Sequence, residues 1–90
     1  MKRVIHKYEI PIEQEFTIRT TKFACLLSIQ IDEKTNKPCM WFLEDSEGEK
    51  VDFKYKIIGT GQLTDLNAYE YAGTFQIEKG GLILHVFSPE

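Results

Sequence analysis

This 90-residue chain holds only two cysteines, three prolines and six glycines. Two cysteines exclude the disulfide framework with which small secreted domains replace a core. Cys25 and Cys39 both lie in apolar runs and read as buried free thiols. No apolar run approaches the roughly 20 residues that a membrane span needs. The opening Met1-Lys2-Arg3-Val4-Ile5-His6-Lys7 has basic residues with no apolar stretch behind them, so no secretory signal is expected. Positive charge is not in excess either. Eleven Lys and Arg against 14 Asp and Glu leave a net charge of −3, which argues against an electrostatic grip on nucleic acid or anionic lipid. There is no repeat, low-complexity tract or linker, and the length suits a single domain over residues 1–90.

Signatures of chemistry are missing as well. Gly59-Thr60-Gly61 follows an apolar run, but no Gly-x4-Gly-Lys-Ser/Thr loop and no βαβ pattern accompanies it. It therefore reads as a turn that needs flexible residues. His6, His85, Cys25 and Cys39 stand singly, without the Cys-x2-Cys or His-x3-His spacing of a zinc site, so no metal is expected. A Cys–His nucleophile pair would need a cation or a helix N-terminus beside the thiol, and no helix is expected. Glu13 with Glu15, and Glu47 with Glu49, fall in polar turns where solvent keeps carboxylates ordinary. The expectation is no enzyme and no cofactor.

What is present is a 42% hydrophobic, 12% aromatic sequence, enough for a packed core, written largely in period two. Val4, His6, Tyr8 and Ile10 share a face; Phe16 and Ile18 follow after a polar turn. Phe23 to Ile31 reads as a third strand with Cys25, Leu27, Ile29 and Ile31 on one face and Ala24, Leu26, Ser28 and Gln30 on the other. Asp32 to Lys37 is a loop. Cys39, Trp41 and Leu43 alternate with Met40, Phe42 and Glu44, so a fourth strand is central or covered on both faces. The fifth is the plainest: Val51, Phe53, Tyr55 and Ile57 inward, Lys50, Asp52, Lys54 and Lys56 outward. Gln62 to Ala68 is one helical turn or a tight loop. Tyr69 to Ile77 is a sixth strand, in which Gly73 signals a bulge or a close backbone approach. Glu78-Lys79-Gly80-Gly81 is a hairpin turn, and Leu82, Leu84 and Val86 alternate with Ile83, His85 and Phe87 in a seventh strand. The fold expected is all-β: a small antiparallel sandwich or partly open barrel of about seven strands, with at most one short helical turn.

Four stretches in this order, Ile5-His6-Lys7-Tyr8, Ile58-Gly59-Thr60-Gly61, Tyr71-Ala72-Gly73-Thr74-Phe75-Gln76 and His85-Val86-Phe87, resemble an uncharacterised family of phage and prophage proteins of about this length. The resemblance spans nearly the whole chain. It implies a viral origin and a host-cytoplasmic location; it brings no activity with it. The acidic stretch from Glu44 to Asp52 and the two free cysteines depart from the family pattern.

Two surfaces stand out as candidate contacts. One is acidic, with Glu44, Asp45, Glu47, Glu49 and Asp52 around one hairpin, interleaved with Lys50, Lys54 and Lys56. It would mimic a phosphate backbone or, more plainly, blunt a sheet edge. The other is aromatic, with Tyr8, Trp41, Phe42, Tyr69 and Tyr71, residue types that anchor interfaces and also fill cores. The first expectation is a non-enzymatic binding protein that blocks a host or phage protein, for instance a defence component, through a sheet surface. An alternative is a homo-oligomer that sequesters a nucleotide-type small molecule, with Arg19, Lys54, Lys56, Thr60 and Tyr71 as phosphate and base contacts. A third is a structural virion component. None of the three requires direct nucleic-acid or membrane binding.

Overall fold

A computed structural model describes residues 2–77 and 79–90. Seven strands follow one another: β1 (Arg3–Glu9), β2 (Glu15–Thr21), β3 (Cys25–Asp32), β4 (Lys37–Asp45), β5 (Lys50–Gly59), β6 (Tyr69–Ile77) and β7 (Leu82–Pro89). They form two antiparallel sheets, ordered β1-β4-β3 and β2-β5-β7-β6, stacked face to face and not closed into a barrel. Because side chains alternate across a strand, each sheet gives one face to a shared core. That core comprises Ile10, Phe16, Ile18, Met40, Phe42, Tyr55, Ile57, Phe75, Leu84 and Val86. Burying each such side chain contributes roughly 1.5–3 kcal/mol. Phe16 stacks on Tyr55 at 5.4 Å, and Tyr8 meets Phe42 edge-on at 5.7 Å. Burial pushes the Tyr55 hydroxyl up to about 12.

Turn chemistry sets the connections. Between β3 and β4, the Asp32 carboxylate accepts from the Lys34 amide and the Thr35 hydroxyl, and the Asp32 carbonyl accepts from the Asn36 amide. Asn36 takes φ 59°, a left-handed conformation that asparagine tolerates. Lys79 and Gly80 both have positive φ in the β6–β7 connection, the backbone sense that suits a tight hairpin. Glu78, expected in that turn, lies outside the described residues.

The structure overturns two expectations, the regular alternation of β3 and the burial of Cys25, and decides between the alternatives left open for β4 and for residues 62–68. β3 does not alternate cleanly: its pairing with β4 shifts between Leu26 and Ser28. The extra residue reverses the phase, so Leu26, Ile29 and Ile31 pack toward the core while Leu27 is left 48% exposed. β4 is central in its sheet but is not covered on both faces, since Trp41 and Leu43 are only half-buried. Of the two thiols, Cys39 is buried and Cys25 is exposed. Residues 62–68 form turns and irregular chain rather than a helical turn. The second bulge is where Gly73 announces it, between Tyr71 and Gly73. A Cβ on Gly73 would stand 2.8 Å from Ile29 Cδ1, so the glycine lets β6 approach β3 of the opposite sheet.

Candidate functional site

The outer face of the three-stranded sheet divides in two. Strand register aligns Glu9, Cys39 and Gln30 in one row, Lys7, Trp41 and Ser28 in the next, and Ile5, Leu43 and Cys25 in a third. At the first row the surface is closed by ion pairs. Lys7 Nζ reaches Asp32 Oδ2 at 2.7 Å, and Lys37 Nζ lies 3.5 Å from Glu9 Oε1. These pairs flank Cys39, and burial pushes its thiol upward. At the other end no ion pair among the described residues covers the apolar side chains. Ile5 is 57% exposed and sits with Leu43, Trp41, Cys25 and the bulged Leu27. Arg3 and Asp45 pair in the next register row, where the β4–β5 connection begins; β4 and β5 lie in different sheets, so this connection crosses between the sheets and is not the hairpin expected from the sequence. Asp45, Glu47 and Glu49 of that connection therefore border the apolar end, with Glu47 and Glu49 exposed. An apolar sheet face bordered by charge is the usual form of a docking surface.

Glu44 does not belong to that acidic border, and its expected role as a surface acid is corrected. It is turned into the sandwich, with its side chain wholly buried. Even position numbers on β4 face the core, and Glu44 continues the row of Met40 and Phe42. Its carboxylate is fully engaged. Tyr8 Oη donates to Oε2 at 2.5 Å, His6 Nδ1 to Oε2 at 2.8 Å, and the Thr21 amide to Oε1 at 2.8 Å. A carboxylate only accepts, so His6 must carry its proton on Nδ1. Lys50 Nζ donates to Tyr8 Oη at 3.1 Å. Burial alone would raise the Glu44 carboxyl, but the three hydrogen bonds and the Lys50 charge outweigh it and hold the group below its ordinary value. Burial and the adjacent carboxylate push the Tyr8 hydroxyl well up.

The outer face of the four-stranded sheet gathers most of the other expected contacts. Glu15, Lys56, Phe87 and Tyr71 form one register row. Thr17 and Lys54 pair beside it, then Arg19 and Asp52. Arg19 Nη1 is bound to Asp52 Oδ1 at 2.9 Å. Lys56 Nζ donates to the Asp65 carbonyl at 3.2 Å and lies 4.7 Å from the Tyr69 ring centre. Lys54 takes part in no ion pair among the described residues. Thr60 Oγ1 lies 2.8 Å from His85 Nε2, Thr74 Oγ1 lies 2.9 Å from His85 Nδ1, and Tyr71 Oη lies 2.7 Å from Thr74 Oγ1. Neutral imidazole donates from one nitrogen and accepts at the other, so these four side chains form one continuous polar chain. This face thus joins Arg19, Lys54, Lys56, Thr60, Tyr69 and Tyr71, while Trp41 belongs to the other sheet; the acidic stretch is divided, with Asp45 ending β4 of that sheet, Glu47 and Glu49 in the connection between the sheets, and Asp52 on β5 of this one. The residues that sequence reasoning did not single out are Ile5, Leu27, Leu43, Thr74 and His85 as a surface partner of Thr60. Ile5 carried a signal, as an apolar residue on the polar side of β1. Leu27 carried none, because the bulge hides its phase.

His6 faces the core side of β1, His85 the outer face of the second sheet, and the two cysteines the outer face of the first. Cys25 pairs with Leu43 and Cys39 lies four residues further along β4, a separation of about 13 Å at about 3.3 Å per residue, too far for a disulfide. Among the described residues no cluster of three or more His, Cys, Asp or Glu could hold a metal ion, and no helix is long and apolar enough to cross a membrane.

Fold and surfaces together define a two-sheet, all-β domain with one outer face apolar at one end and ion-paired at the other, and a second outer face that gathers cations and aromatics. Residues 1–90 match a family described as a domain of unknown function, DUF7352, and the chain belongs to that family. No curated protein and no solved structure matches the chain.

Proposed function

We propose that this chain is a non-enzymatic binding protein that docks a partner protein on the outer face of its three-stranded sheet. One observation carries this reading: the end of that face formed by Ile5, Leu43, Cys25, Trp41 and Leu27 is apolar and uncovered, while its other end is closed by ion pairs. A solvated face would alternate to polar residues throughout. Trp41 supplies the kind of aromatic anchor that dominates interfaces, and Asp45, Glu47 and Glu49 of the β4–β5 connection the polar rim. The resemblance to small phage and prophage proteins supports the finer reading: a phage product that acts in the host cytoplasm by blocking a host protein, with anti-phage defence components as the targets to try first.

The test compares three variants in affinity capture from host extract. Ile5→Lys and Leu27→Glu alter exposed side chains and leave folding within about 0.5 kcal/mol. Lys54→Ala alters the opposite sheet. The expected outcome is one host protein held by the unaltered chain and by Lys54→Ala and lost by the other two. Equal capture by all three, or loss only with Lys54→Ala, contradicts the assignment. Recovery of virion proteins alone favours a structural role.

A second reading is favoured by the convergence of Arg19, Lys54, Lys56, Thr60, Tyr69 and Tyr71 on the other outer face: sequestration of a nucleotide-type ligand by an assembly of chains. Two of its three cations are already engaged within the chain, which ranks this reading below the first. A ligand at a hundredfold excess over Kd should stabilise the fold by about 2.7 kcal/mol, so a thermal-shift panel of cyclic and linear nucleotides decides it.

A further inference from the structure

Between the two sheets, at the end marked by the β2–β3 turn, a cavity of about 460 Å³ opens to solvent. Its walls are Leu26, Phe42, Phe53 and Tyr55. Glu70 and Glu90 border it, both exposed and in no ion pair among the described residues. Thr21 lines it too, 3% exposed, and its Oγ1 finds no hydrogen-bond partner. Such a cavity is of ligand size and holds the few polar groups that fix an occupant.

The chain carries a matching group beside this mouth. Phe23 is 99% exposed and sits at φ 62°, in a turn closed by the Ala24 amide on the Thr21 carbonyl at 3.3 Å. A bulky residue in the left-handed region is strained, and such strain persists where a function holds it. Phe23 is among the residues at the cavity's edge while staying exposed. Lys22 precedes it, exposed and in no ion pair among the described residues. The Lys22–Phe23 turn is thus an apolar knob with a positive charge, and the cavity is an apolar hole with a negative border.

We propose that two copies of this chain dimerise through these features, Phe23 of each entering the inter-sheet mouth of the other and Lys22 of each meeting the Glu70 and Glu90 of the other. Knob and hole lie side by side on one chain, so a two-fold axis passing beside them satisfies both contacts at once, as a closed self-complementary interface requires. The contact is independent of the outer face of the three-stranded sheet.

Sedimentation equilibrium on the full chain tests this. The unaltered protein is expected at twice 10.5 kDa, about 21 kDa. Phe23→Gly removes the knob and relieves the backbone, since glycine takes this φ freely. It should fold and weaken the dimer roughly thirtyfold or more, the loss typical of an interface hot spot. Lys22→Glu should also weaken it, and Lys22→Glu combined with Glu70→Lys and Glu90→Lys should recover much of the loss. Ile5→Lys should leave the dimer intact, so failure here is separable from failure of the proposed function. A single-chain mass for the unaltered protein through the millimolar range overturns the proposal, even if the mouth then takes up a free Lys-Phe peptide. A dimer unaffected by Phe23→Gly places the interface elsewhere and overturns it equally.

Discussion

Glu44 shows how one residue can invert its meaning between sequence and structure. In the sequence it opens an acidic run and resembles the solvated carboxylates beside it. Period two along β4 nevertheless puts it in line with Met40 and Phe42, and its burial follows from that phase. The partners that make burial tolerable, His6, Tyr8 and Thr21, come from β1 and β2, and no local pattern names them. Glu44→Ala should destabilise the fold by about 3 kcal/mol, because three donors lose a charged acceptor in the interior. Denaturant unfolding measures this. The depressed carboxyl also sets a pH signature. Its contribution is full above the unfolded value of about 4.5 and is lost as pH falls through the lower folded value. Glu44→Gln should therefore lack that part of the acid-side loss of stability seen in the unaltered protein.

Most of the strands are legible in the sequence because their alternation is intact. β5 is the clearest case: Tyr55 and Ile57 are buried, Asp52 and Lys54 exposed. β3 is not legible in the same way. Its bulge at Leu27 leaves composition unchanged but shifts every later side chain by one face, so Ile29 and Ile31 join Leu26 on the core side and Leu27, expected on their face, is left exposed. Gly73 did announce its bulge, because a glycine inside a strand is costly without a reason. The reason is the approach of Ile29 from the opposite sheet. Gly73→Ala should cost about 1–3 kcal/mol through overpacking, and shortening the neighbour in Gly73→Ala/Ile29→Val should return part of it. Additive losses in the double variant would mean that the two residues do not press on each other.

The whole molecule is a slab of 42 × 34 × 16 Å. Two stacked layers leave the outer sheet faces as its broadest surfaces, so a domain of this shape acts most readily through them. A domain of 90 residues has a stability of roughly 5–13 kcal/mol, and Met40→Ala, at the fully buried centre of β4, should remove about 2–5 kcal/mol of it. Leu27→Glu, on the outer face, should remove almost none, since its side chain gains little from the fold. Calorimetry on the two variants separates residues held for the core from residues held for a partner. The number of strands and the all-β class were legible in turn spacing. Which strands share a sheet was not, because β1 pairs with β4 and β5 with β7 across long stretches of chain.

The chain contains a single tryptophan, Trp41, on the outer face assigned to the partner. Protein grown on 5-fluorotryptophan therefore gives one fluorine resonance from that surface. On addition of the captured host protein, the account predicts that this resonance shifts and loses its exposure to solvent, and that Leu27→Glu abolishes the change. A saturated complex in which the Trp41 resonance stays at its free position would contradict it.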